Sequence, residues 1–157
     1  MKSCFLFGHQ DAPESVRALL VEVIERHITE YGVREFVVGR RGAFDGMAGR
    51  TLAAAKKHHP EILLLDLLAY HPSQRDPGQR PGFDGTFYPP GMETVPRPYA
   101  IVRANRYMVA HTDALIVYVR DTAGNSAKLL NYARNVAKKN HMTIENLADC
   151  HFRGDPS

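Results

Sequence analysis

Tryptophan is absent from this 157-residue chain, cysteine occurs twice, and no apolar run is long enough to span a bilayer, which takes about 20 residues in succession. The two cysteines, Cys4 and Cys150, lie at opposite ends in no spacing used by metals or redox pairs. Cys4, inside an apolar strand pattern, reads as a buried, inert thiol. The first apolar run is far too short for the core of a signal peptide, so a cytoplasmic protein with no membrane partner is expected. Eight histidines are present, yet none forms an i, i+4 helical pair with a third ligand, which argues against a zinc site. Neither a G-x-S-x-G nucleophile elbow, nor a Walker A lysine turn, nor interleaved aromatic and basic residues occurs. No metal and no cofactor are expected.

What is present is an ordinary globular composition, 44% hydrophobic and 24% charged, without low-complexity tracts. A chain of this length buries roughly two-thirds of its unfolded surface as one domain. The formal charge is +3 and the pI about 9.0. So mild an excess argues against a nucleic-acid partner, which asks for a dense basic face, and it suits a pocket that receives an acidic small molecule.

Apolar runs and helical stripes alternate along the chain. Ser3 to Phe7 is a continuous apolar run ending at Gly8, as in a strand buried on both faces. After the turn Gly8-His9-Gln10-Asp11-Ala12-Pro13, the residues Val16, Leu19, Leu20, Val23, Ile24, His27, Ile28 and Tyr31 share one helical face. Pro13 can open that helix and Gly32 can close it. Glu35 to Val38 predicts a second strand, Phe44 to His58 a second helix stopped by Pro60, and Ile62 to Leu68 a third strand broken only by Asp66. A third helix follows from about Pro98 to His111, then a fourth strand from Ala114 to Val119. A fourth helix carries Leu129, Leu130, Ala133, Val136 and Ala137 on one face, and Thr143 to Leu147 reads as a short edge strand.

From His71 to Arg97 the chain is rich in proline and glycine and has no periodicity. Stretches this long are functional lids or disordered; Phe83, Phe87 and Tyr88 favour a semi-ordered lid over about 72–97. Strands alternating with helices imply an α/β fold, a Rossmann-like three-layer sandwich with a mostly parallel five-stranded sheet. A single domain over 1–150 is expected, with 151–157 a frayed tail.

In such sheets the ligand sits beyond the carboxyl ends of the strands, at the switch point. Three glycine-bearing turns emerge at that edge: Gly8-His9-Gln10-Asp11, Gly39-Arg40-Arg41-Gly42 and Thr122-Ala123-Gly124-Asn125-Ser126. In the middle one, strand, glycine turn and helix N-terminus follow one another directly. Free amides with Arg40 and Arg41 beside them suit a phosphate; a plain tight turn is the alternative. The candidate ligand- or phosphate-binding residues are Gly8, His9, Asp11, Gly39, Arg40, Arg41, Gly42, Asp45, Gly124, Asn125 and Ser126. Asp45 either caps the second helix or meets a ribose hydroxyl. Asp11 with His9 is either an acid–base pair or a turn-stabilising Asp beside a solvent-facing His. Asn125 and Ser126 are good N-caps and equally good phosphate donors. Asp113 reads as structural. Asn105 points toward the core side, and Arg106 either lies on the solvated face or pins the lid.

The residues at this edge resemble those of the SLOG superfamily, the Rossmann-like group that includes the lonely-guy phosphoribohydrolases and the DNA-processing protein A fold. They are most like its small stand-alone bacterial members. Gly8-His9-Gln10-Asp11 is similar to a G-H-R-D-like first turn, and Gly39 to Asp45 to a G-G-x-G-x-F-D turn with Arg40 in place of the second glycine. Asn105, Arg106, Tyr107, Met108 and Val109, followed by Thr112 and Asp113, resemble R-N-x-x-M-V followed by S/T-D. Gly124-Asn125-Ser126 with Tyr132-Ala133 resembles G-N-[ST] followed by an aromatic-alanine pair. The matches spread from residue 4 to about 137.

The resemblance implies a pocket for a nucleotide or nucleotide derivative, and self-association. Some members cleave N-glycosidic bonds in nucleoside monophosphates; others are thought to sense nucleotide signals. The enzymatic branch carries a catalytic glutamate in a P-G-G-x-G-T-x-x-E turn. The corresponding stretch here, Ala123 to Asn131, has no carboxylate to activate water or stabilise an oxocarbenium-like centre. The expected function is therefore binding of a nucleotide or phosphorylated small molecule by a sensor or accessory protein. The alternative is an N-glycosidic hydrolase with Asp11 or Asp45 as its carboxylate, and the third reading is a DNA-associated module.

Overall fold

The structure, a computed structural model, describes residues 1–73, 78 and 80–149; Cys150 and the expected tail at 151–157 lie outside them. Six strands form one sheet: β1 (Ser3–Gly8), β2 (Glu35–Val38), β3 (Leu63–Leu67), β4 (Gly85–Phe87), β5 (Ala114–Tyr118) and β6 (Thr143–Asn146). Four helices connect them: α1 (Arg17–Thr29), α2 (Gly42–His58), α3 (Ala100–His111) and α4 (Asn125–Lys139). The strand order is β4-β3-β2-β1-β5-β6, and every pairing is parallel.

Successive residues of a strand face opposite sides of the sheet, and both sides are covered. Cys4 and Leu6 of β1, Phe36 and Val38 of β2 and Ile116 of β5 pack with Leu20, Ile24, Phe44 and Leu52 of α1 and α2. Phe5 and Phe7, Val37, and Leu115 and Val117 pack with Ala104, Met108, Leu130 and Ala133 of α3 and α4. This double burial is why the central strands read as unbroken apolar runs. The architecture is the expected Rossmann-like three-layer sandwich.

The sheet has six strands where the sequence predicts five. The sixth, β4, comes from the proline- and glycine-rich segment and aligns Gly85 to Phe87 with Leu65 to Leu67. Asp84 clamps it. Its backbone N–H bonds the Leu64 carbonyl at 2.9 Å, and its carboxylate accepts the Leu64 N–H at 2.8 Å and the Lys56 ammonium at 2.6 Å. Phe83 is buried beside it. Three residues hold less than two full alternations, so no period could mark this strand.

Tyr31 also departs from its expected place. The helical face predicts it buried, but α1 ends at Thr29, Gly32 turns the chain with φ +71°, and Tyr31 is 43% exposed with its ring edge-on to His27. Among the described residues no helix is long and apolar enough to cross a membrane.

Candidate functional site

β1 pairs with β2 on one side and β5 on the other, so the winding reverses at its carboxyl end. A cleft of about 360 Å3 opens there. Its floor is apolar, from Phe5, Phe7, Leu67, Ala104 and Leu129. Arg40, Arg41, Arg106 and Lys128 bring cations to its wall, and among the described residues Asp45 is the one acidic residue there. Gly8, Gln10, Gly39, Asn105, Asn125 and Ser126 also line it; His9, Asp11, Gly42 and Gly124 do not. Sequence reasoning missed Lys128, although its place in the first turn of α4 was a usable signal, and it left Arg106 undecided.

The first two glycine turns grip each other. A methyl at Gly8 would lie 2.6 Å from the Phe44 ring, and one at Gly42 would lie 2.5 Å from Gln10 Cα. The Ala43 N–H donates to the Gln10 carbonyl at 2.8 Å and the Phe44 N–H to the His9 carbonyl at 3.3 Å. The Arg41 N–H donates to Asp45 Oδ2 at 2.9 Å, and a methyl at Gly39 would press on that same oxygen at 2.9 Å. These glycines are needed for intramolecular approach, and Arg41, Ala43 and Phe44 N–H groups at the start of α2 already have acceptors.

The start of α4 is different. Gly124 occupies the N-cap with φ +99°, and no side chain caps the helix. Asn125 and Ser126 are its first two helical residues rather than its caps. Space around Gly124 is open: an added methyl would meet nothing within 4 Å. Free N–H groups at such a terminus attract anions.

Asp66, which interrupts β3, is 1% exposed and explains Arg40. Its Oδ2 accepts from Arg40 Nη2 at 2.9 Å and Nε at 3.2 Å, and its Oδ1 accepts from Arg80 Nη1 at 2.7 Å. Arg80 also donates to the Gly39 carbonyl at 2.8 Å and the Asp45 carbonyl at 2.7 Å, and its guanidinium lies 4.7 Å from the Phe83 ring centre. The guanidinium rests against Gly49, where any side chain would collide with it. One buried carboxylate thus ties the β2–α2 turn to the segment carrying β4. Arg80 gave no sequence signal because its stretch has no period.

Asp45 is 9% exposed. Burial pushes its carboxyl up to about 6, against the opposing pull of the Arg41 N–H and the charges of Arg80 and Arg41. A carboxyl titrating near 6 in a cleft is suited to proton transfer. Asp11 has another role: its side chain is 75% exposed and pairs with the Arg120 guanidinium at 2.8 Å. His9 is buried rather than solvent-facing. Its Nε2 accepts the Arg120 backbone N–H at 2.9 Å, and the His9 backbone N–H donates to the Tyr118 carbonyl at 3.2 Å. The histidine therefore fastens the first turn to the end of β5. Asp113 is structural, accepting the Ser3 N–H at 2.9 Å. Asn105 is half-buried at the cleft wall.

The mild total charge conceals a segregated one. α3 carries Arg103 and Arg106, α4 carries Lys128, Arg134, Lys138 and Lys139, and neither helix contains an aspartate or glutamate. All six cations are exposed. The excess of +3 averages this layer with the acidic remainder, so it does not count against a polyanionic partner.

The fold and cleft define a Rossmann-like α/β domain with a cationic pocket at its switch point. No family model matches the chain and no curated protein matches its sequence. Among solved structures it is similar to DNA processing protein A from Helicobacter pylori, in a structure described for its single-stranded DNA binding mode. The match has a TM-score of 0.57 over 97% of this chain and 72% of that one, at 13% identity. At that identity the likeness is one of fold.

Proposed function

We propose that the cleft binds a nucleotide or other phosphorylated small molecule, as in a SLOG-type sensor or accessory protein. The phosphate sits at the start of α4, with Lys128, Arg106 and Arg41 around it, and the nucleoside lies over the apolar floor. The observation that carries this reading is the uncapped α4 terminus, with open space at Gly124, at a switch-point cleft lined by Arg40, Arg41, Arg106 and Lys128. Arg40, engaged with Asp66, acts as a strut for the turn. A cytoplasmic homo-oligomer belongs to the same reading and rests on the resemblance. Calorimetric titration with AMP, ribose 5-phosphate and inorganic phosphate tests it. Binding that Lys128→Gln and Arg106→Gln each weaken is expected; no binding of any of the three overturns it.

Two observations favour rivals. Asp45, buried in the cleft with its carboxyl near 6, is the carboxylate an N-glycosidic hydrolase would use, whereas Asp11 lies outside the cleft. Incubation with AMP, NAD and ADP-ribose decides: release of free base that Asp45→Asn abolishes supports the enzyme. The acid-free α3–α4 layer, with a fold neighbour described for single-stranded DNA binding, favours a DNA-associated module. Its mark is oligonucleotide binding that falls steeply with salt.

A further inference from the structure

A second depression, of about 420 Å3, opens beside the cleft, between the end of β3 and the segment that enters α3. The two meet: Ala69 lines both, Arg97 and Ala100 line the second, and Pro98 and Ile101 line the first. Each lies toward the lower end of the roughly 300–1,000 Å3 typical of small-molecule sites, so each has room for part of a ligand.

Their chemistry differs. The cleft is apolar below and cationic at its wall, whereas the second depression is aromatic. Tyr70 carries the Arg97 guanidinium 4.6 Å from its ring centre. Tyr88 stands edge-on to His71 with ring centres 5.5 Å apart, and buried Met92 backs them. The exposed Glu93 and the His71–Ser73 pair, bonded at 2.6 Å, supply polar groups around these rings. Flat faces with a polar rim are what a nucleobase requires, since it stacks on rings and guanidinium planes and hydrogen-bonds at its edge.

We propose that this depression is a base-binding subsite continuous with the cleft, and that the ligand is a dinucleotide: two nucleobases joined through phosphate. The inference rests on the phosphate reading of the cleft. The cleft takes the phosphate bridge and one nucleoside, and the second base stacks against Arg97 and Tyr70.

The test is calorimetric titration of the full chain with AMP, with diadenosine 5′,5′-pyrophosphate and with the 3′,5′-linked dinucleotide pApA. Wild type is compared with Arg97→Ala and Tyr70→Leu. One of the two dinucleotides should bind wild type about tenfold or more tighter than AMP, the worth of one stacked base; which one does so identifies the linkage. Arg97→Ala, at an exposed position, should lose that gain while its AMP affinity stays at the wild-type value. AMP bound with neither dinucleotide tighter, or a gain that survives both variants, overturns the second subsite and leaves the phosphate reading standing. Binding of none of the three probes overturns both.

Discussion

Asp45→Asn should stabilise the protein at neutral pH. The side chain is buried, and its carboxyl is raised from the ordinary 3.8 to about 6 because burial disfavours the charged form. The folded chain therefore holds a proton that the unfolded chain releases between those two values. Stability associated with the protonated group is full below 3.8, declines as pH rises and is gone above about 6. About two units at roughly 1.4 kcal/mol each give a destabilisation of about 3 kcal/mol at neutral pH. Asparagine keeps the shape and the oxygen that accepts the Arg41 N–H but carries no charge. Its gain is reduced by about 0.5–1.5 kcal/mol if that bond is poorer. Urea unfolding at about pH 7.5 and about pH 5 measures the effect: the advantage of the variant at the higher pH should shrink by ~1.4 kcal/mol at the lower. An advantage equal at both pH values, or a variant less stable at neutral pH, would refute the burial argument.

Asp66→Ala removes one acceptor from two arginines; breaking a buried pair this way should cost about 3 kcal/mol in chemical denaturation. Gly42→Ala combines φ +88° with a methyl 2.5 Å from Gln10 Cα, whereas Gly124→Ala meets only its φ of +99°. The first should lose ~3 kcal/mol or more and the second ~1–2 kcal/mol; equal losses would contradict the interlocked turns. His27 is 2% exposed and its Nδ1 bonds the Val23 carbonyl at 2.8 Å. Burial lowers its proton affinity below the ordinary 6.5, so the unfolded chain protonates first and stability should fall as pH drops below 6.5. Unfolding midpoints across that range should flatten in His27→Gln.

Several elements were legible because their signal is local. β1, β2, β3 and β5 lie between two helical layers, so each shows as a short apolar run and its boundaries agree within a residue or two. α4 announces itself by Leu129, Leu130 and Ala133 on one face. β4 was not legible, since three residues have no period and its pairing depends on Asp84 reaching back to Leu64. The candidate site was half legible. Asp45, Arg41, Asn125 and Ser126 line the cleft, while Lys128 went unseen and Asp11 proved to be the partner of Arg120.

The sequence by itself determined the class of fold and the edge where the three glycine turns emerge, because alternating runs and stripes force a covered parallel sheet and the strand-to-helix loops of such a sheet lie at the carboxyl ends of its strands. Only the tertiary structure decided which of the three glycine turns stays open. The Ala43 and Phe44 amides are held by carbonyls of the preceding turn, contacts that no neighbouring residue specifies; only the Arg41 amide has a local partner, Asp45. It also decided that the cations of α3 and α4 share one layer and that Arg40 is held by Asp66. The pattern of a segment sets what its backbone becomes; the side chains that meet it from elsewhere in the chain set which groups remain for a ligand.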